Sequence, residues 1–189
     1  MNRFLTFALS FVLTAFSANA QSTVSFMGVP VDGTKYDVEQ ALLQRGFNLT
    51  EDGGVEGKVN DEHLFVTTFS NDAGQVYRIA AANMYPIRNQ KVAAAKYNEL
   101  IGAFEDNPNY TAARVRTVDG DANLYKELAL KGAVYKSFFY KADSKVGNAQ
   151  PTQLVGIWLI YCHDERRDKA HNYDGYYVSV HYDNLNNNK

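Results

Sequence analysis

This chain lacks most of the features that announce a chemistry. It has a single cysteine, Cys162, so no disulfide can close within it. Four prolines and 13 glycines, scattered along 189 residues, leave no low-complexity linker and no polyproline segment. Basic residues do not predominate: the formal net charge is −2, and nothing in that balance recruits a polyanion, so nucleic acid is a poor partner. After residue 20 no apolar run approaches the roughly twenty residues that cross a bilayer as a helix. Neither a Gly-x-Ser-x-Gly elbow nor a phosphate-cradling glycine loop is present.

What the chain does have begins at its start. Met1-Asn2-Arg3 is a polar opening with one positive charge, Phe4 to Phe16 is apolar, and Ser17-Ala18-Asn19-Ala20 ends in the small-x-small pattern of a cleavage site. That is the layout of a secretory signal peptide over residues 1–20, with the mature chain starting at Gln21. No cysteine stands at the cleavage point, so the expectation is an exported protein, periplasmic or secreted, that is not a lipoprotein. Twenty residues removed from 189 leave 169, enough for one domain with its own core. The mature balance of 18 basic to 21 acidic residues is −3. Thirteen Tyr and 11 Phe suit a β-rich exported fold, where rings pack and hydroxyls stay wet.

The periodicity alternates between helix and strand. Val24–Met27 reads as a short strand, closed by Pro30 and Asp32-Gly33. Thr34 with Asp37 predicts a capping box, Val38, Ala41 and Leu42 an apolar helical stripe, and Gly46 its left-handed end. Alternation at Val55, Gly57 and Val59, then His63–Ser70, the turn Asn71–Gly74 and Gln75–Ala82, predicts a three-stranded meander. A second helix is expected over Asn89–Glu105 from Ala93, Tyr97, Leu100, Ile101 and Phe104. Leu124–Leu130 fits either a short helix or a strand. Ala133–Lys141, Leu154–Cys162 and Tyr176–Tyr182 read as strands. In the last, Tyr176, Val178, Val180 and Tyr182 share one side, and Tyr177, Ser179 and His181 the other. Asn184–Lys189 reads as a frayed polar tail. The sum is an α+β domain over 21–189, two helices against antiparallel sheet, with helix-plus-meander halves near 21–84 and 86–183.

Candidate chemistry is thin. His163–Asp174 is the densest ionisable stretch, and Cys162, His163 and His171 are its potential metal ligands. Cys162 and His163 are adjacent, so a strand would point them apart, and no third ligand is assured. Asp119-Gly120-Asp121 opens like a calcium loop, but Leu124 and Leu130 stand where that loop needs glycine and an acid. His63 begins a strand in an acidic context, Asp61-Glu62-His63, which points to a turn rather than to a general base. No catalytic residue, no metal site and no cofactor is expected, and the binding residues stay unassigned.

Two segments carry a resemblance. Phe26-Met27-Gly28-Val29-Pro30-Val31-Asp32-Gly33-Thr34, followed by Leu42 and Arg45-Gly46-Phe47, resembles the start of a functionally uncharacterised group of small exported proteins from Bacteroides-type bacteria. The closing Tyr176–Asn187 stretch resembles their last strand. The helix-plus-sheet plan also resembles BamE and β-lactamase-inhibitor-type folds in architecture, and function does not travel with that. A gram-negative envelope is what the resemblance implies. The expectation is a non-catalytic exported protein that binds a protein or glycan partner there, through a sheet face or the 163–175 loop. Tyr135, Phe139, Tyr161, Tyr173 and Tyr177 are the candidates for an exposed aromatic patch. The alternative is a periplasmic hydrolase whose site is spread over several strands.

Overall fold

The computed structural model describes residues 23–144, 150–163 and 174–188. The signal segment, most of the 163–175 loop, His171 and Tyr173 therefore lie outside the described residues.

The protein is α+β. A small hairpin, β1 (Ser25–Phe26) with β2 (Val29–Pro30), precedes helix α1 (Lys35–Leu43) and strands β3 (Asn48–Leu49), β4 (Val55–Val59), β5 (Glu62–Ser70) and β6 (Val76–Asn83). Helix α2 (Gln90–Glu105) leads into β7 (Tyr110–Arg114), a π-helical turn (Tyr125–Leu130), and β8 (Tyr135–Lys141), β9 (Gln153–Cys162) and β10 (Gly175–Asn184). All but the first two strands form one eight-stranded antiparallel sheet in the order β3-β4-β5-β6-β10-β9-β8-β7.

Local chemistry explains the helices. The Thr34 hydroxyl accepts from the Asp37 amide, and Gly46 takes φ +89° to end the first helix. The Asn89 side chain accepts from the Lys91 and Val92 amides to start the second. No helix among the described residues is long and apolar enough to cross a membrane.

Both helices pack on the same side of the sheet. From α1, Val38 and Leu42 are buried and Glu39 accepts a hydrogen bond from Thr68 of β5. From α2, the Phe104 ring stacks on Phe139 of β8, centroids 5.5 Å apart, and the Tyr97 hydroxyl lies 3.0 Å from the Ser137 hydroxyl. Val66, Ile79, Tyr182, Val155 and Ile157 complete this core layer, all almost wholly buried. A sheet face packed under helices is the usual arrangement of an antiparallel sheet.

The asparagine-rich end is not frayed as expected. Asn184 is buried: its amide donates to the Val31 carbonyl and its carbonyl accepts from Gln153, whose own oxygen accepts from the Val24 amide. Asn187 donates to Asp32 and to the Val76 carbonyl. The tail is a latch that ties the first hairpin to the sheet, because amide side chains satisfy backbone groups left over at strand ends.

Candidate functional site

Strand register places the rest of the chemistry on the side that neither helix covers. Residues directly opposite one another across antiparallel strands point the same way, so the pairing writes out three rows across β5, β6, β10, β9 and β8. The first row is Phe65, Ala82, Ser179, Trp158 and Lys136. The second is Thr67, Ala80, His181, Gly156 and Phe138. The third is Phe69, Arg78, Asp183, Leu154 and Tyr140. A bulge at Phe69–Ser70 brings Tyr77 beside Phe69, ring centroids 6.4 Å apart. Four inter-strand steps of about 4.8 Å make this face roughly 19 Å wide.

Its floor is small side chains and its walls are aromatic. Ala80, Ala82 and Thr67 are half-buried in the middle, with Phe65 and the exposed Phe69 on one side. On the other side stand Trp158 and Phe138.

The centre of the face is a stack. The His181 imidazole lies on the Trp158 indole with centroids 3.9 Å apart and planes 23° off parallel. The Lys136 ammonium sits 4.0 Å from the same indole's centre, and the Arg78 guanidinium 5.9 Å from it. Arg78 is also held by Asp183 in a two-pronged ion pair of 2.5 and 3.2 Å. Gly156 makes the stack possible. A Cβ there would come within 2.9 Å of the Trp158 Nε1, so only glycine lets the indole lean across.

His181 is held neutral. Burial first, then the positive charges of Arg78 and Lys136, push its pKa down to about 4. Its Nε2 is 2.9 Å from the Ser179 hydroxyl. Two buried nitrogens in the stack have no hydrogen-bond partner among the described residues: the Trp158 Nε1 and the His181 Nδ1. Such orphans are uncommon in folded proteins and call for an explanation.

Several expectations fall elsewhere. Tyr135 and Phe139 are buried under α2, on the core side of β8, and cannot form an exposed patch. Their strand neighbours Lys136, Phe138 and Tyr140 point to the open face instead. Tyr161 packs against Tyr125, Tyr176 and His163, with centroids 5.6, 5.1 and 4.9 Å away. Tyr177 is half-buried and pairs with Ile160; it shares the helix-free side with Ser179, one row beyond the three. The Cys162 thiol is half-buried and its pKa is raised by burial, the setting of an inert thiol. The His163 Nε2 lies 3.5 Å from the Ala129 carbonyl. Asp119 accepts from the Ala122 amide in a turn, and Asn123 accepts from Lys126 to start the π-helical turn. Among the described residues no three His, Cys, Asp or Glu side chains converge on a metal position.

The sequence singled out none of Trp158, Arg78, Lys136 or Gly156. The only available signal was position: period-2 alternation put Ser179 and His181 together on the side away from Tyr182. Comparison of the chain with protein-family models, with curated proteins and with solved structures gives no match.

Proposed function

We propose that this chain is an exported, non-catalytic protein that binds an envelope protein or glycan partner on the helix-free face of its sheet. The observation that carries the reading is the composition of that face: small residues on the floor, aromatic residues at the sides and two cations near the centre, uncovered by either helix. Aromatic residues with arginine, on a surface the fold itself leaves open, are what binding surfaces are rich in. Export rests on the leader pattern of residues 1–20, and the envelope on the resemblance of the chain's two ends to small exported Bacteroides-type proteins.

The two-halves organisation belongs to the same proposal. Each half is a helix followed by four strands, α1 with β3–β6 and α2 with β7–β10, and the halves meet where β6 pairs with β10. The binding face straddles that seam.

A hydrolase is the competing reading, favoured by one observation: Ser179 and His181 are hydrogen-bonded. Acyl-transfer chemistry wants the other imidazole nitrogen oriented by a carboxylate. Here the His181 Nδ1 has no partner among the described residues, and the carboxylate two residues on, Asp183, is engaged by Arg78. The pair supports a hydrogen-bonded strand surface better than an activated nucleophile.

The test is affinity capture with residues 21–189 from an envelope extract, read by mass spectrometry against a control protein of similar charge. Reproducible recovery of one envelope protein or glycan supports the proposal. Recovery of nothing above the control, together with ester or glycoside turnover abolished by Ser179→Ala, favours the hydrolase.

A further inference from the structure

The stack at the centre of the open face has more hydrogen-bond donors than acceptors. We infer that Trp158, His181 and Lys136 form a receptor for a single oxyanion, a carboxylate or sulfate group, and that its source is an acidic glycan. The inference deepens, and rests on, the reading of this face as the binding surface.

Three observations converge. First, the Trp158 Nε1 can only donate, and it is buried without a partner among the described residues. Second, His181, 9% exposed, has its Nε2 occupied by Ser179 and its Nδ1 buried without a partner. The Ser179 contact suits either tautomer; in the one we assign, the hydroxyl donates to Nε2, the proton is on Nδ1, and that nitrogen is a second orphan donor. Third, the Lys136 ammonium rests on the indole, 4.0 Å from its centre, whereas the neighbouring Arg78 already has Asp183 as its counter-ion. Two neutral N–H groups and one cation with no carboxylate counter-ion among the described residues match one oxyanion. A neutral ligand would leave the ammonium without its counter-charge, and a cation would be repelled.

The burial of the two nitrogens fits this. A lysine is the most flexible cover available, with four rotatable bonds and a strongly hydrated head. A swing of Lys136 off the indole uncovers the ring and carries the charge to the incoming group. The indole nitrogen lies over Gly156, where the absence of a side chain leaves height for it. Asp183 is the one carboxylate in the three rows, and its pairing with Arg78 keeps it from repelling the anion. A glycan is favoured over a free ion because the aromatic walls and the small-residue floor of Ala80 and Ala82 extend well beyond the size of one anion.

The test uses the chain without its leader, labelled with nitrogen-15. It is titrated with sodium sulfate against sodium chloride at equal ionic strength, and with trigalacturonate against neutral trigalactose. The expected result is saturable movement of the Trp158 indole N–H and the His181 ring nitrogens with sulfate and trigalacturonate only. The His181 tautomer should be Nδ1–H, and its titration midpoint should rise when the anion binds. Lys136→Gln should weaken binding about tenfold or more, as loss of a charged hydrogen-bond partner does, and Lys136→Arg should retain most of it. Tighter binding of trigalacturonate than of sulfate supports the glycan source, and equal binding overturns it in favour of a free anion. Equal shifts with chloride and sulfate, or an Nε2–H tautomer with anion present, overturn the receptor. If sulfate is silent while partner capture still depends on this face, the receptor alone fails. If sulfate binds while capture ignores the face, the partner reading alone fails.

Discussion

His181 and Trp158 stack face to face although they are not opposite one another in the sheet. His181 faces Gly156 across the β9–β10 ladder, and Trp158 faces Ser179. The indole reaches the imidazole diagonally, over the bare Cα of Gly156, and Lys136 sits over the same ring. One glycine thus sets the geometry of this cluster.

Gly156→Ala should displace the indole, because the new Cβ would stand 2.9 Å from Nε1. A loss of roughly 1–3 kcal/mol is expected, typical of overpacking. Trp158 is the only tryptophan, so its fluorescence reports on this site alone. The variant should show a red-shifted emission and a lower urea midpoint. An unchanged spectrum with unchanged stability would mean that the stack does not depend on the glycine.

Acid should weaken the fold through His181. Its pKa is about 4 in the native protein against 6.5 for the free side chain, so the unfolded chain binds the proton more readily. The contribution of a neutral His181 is therefore complete above pH 6.5, erodes as pH falls from 6.5 towards 4, and stays lost below. Burial sets it first, with Trp158 of β9 stacked on the ring, and then the charges of Arg78 on β6 and Lys136 on β8; Ser179 and Asp183 are the polar groups on the same side of its own strand. The shift is worth about 3 kcal/mol. Urea unfolding at pH 7 and pH 4.5 should show this loss in the parent and a smaller one in His181→Phe. Parallel curves for the two proteins would remove His181 from the account.

The latch at the end of the chain makes a separate prediction. Asn184→Ala removes one partner each from Gln153 and from the Val31 carbonyl in a buried setting. Leaving buried polar groups unpaired costs about 2–4 kcal/mol here, two groups at the usual penalty. Truncation of the three residues after Asn186 should cost less, since Asn187 bonds Asp32 and Val76 at the periphery. Equal losses from the two changes would show that the tail acts as a unit rather than through Asn184.

The sequence conveyed the elements better than their orientation. Capping at Thr34, the α2 stripe and the long β9 and β10 strands were legible because each rests on local periodicity or a local hydrogen bond, whereas the Asn89 cap was not read. The faces of β8 were not. Tyr135-Lys136-Ser137-Phe138-Phe139-Tyr140 carries aromatic residues on both sides, so alternation gives no preference, and the register that buries Phe139 comes from Val155 and Phe104 far along the chain. Strand β7 was missed for a similar reason: its residues after Tyr110 are exposed, and it exists only as a partner for β8. The Leu124–Leu130 segment was readable as ordered but not as a π-helical turn, a form with no sequence signature. For the site, Ser179 and His181 were placed correctly together, while Trp158 and Arg78 lie on other strands and could be joined to them only by knowing that β10 runs between β6 and β9.

The most direct measurement is envelope capture repeated with one substitution on each side of the sheet. Ala80→Glu plants a negatively charged side chain on the floor of the open face, beside His181. Tyr36→Glu makes the same change on α1 at a residue 69% exposed, on the helix-covered side. Circular dichroism and urea midpoints confirm that both variants are folded. The account predicts that the parent and Tyr36→Glu retain the same envelope component and that Ala80→Glu loses it. Undiminished capture by Ala80→Glu, or loss with Tyr36→Glu alone, would contradict the helix-free face as the binding surface.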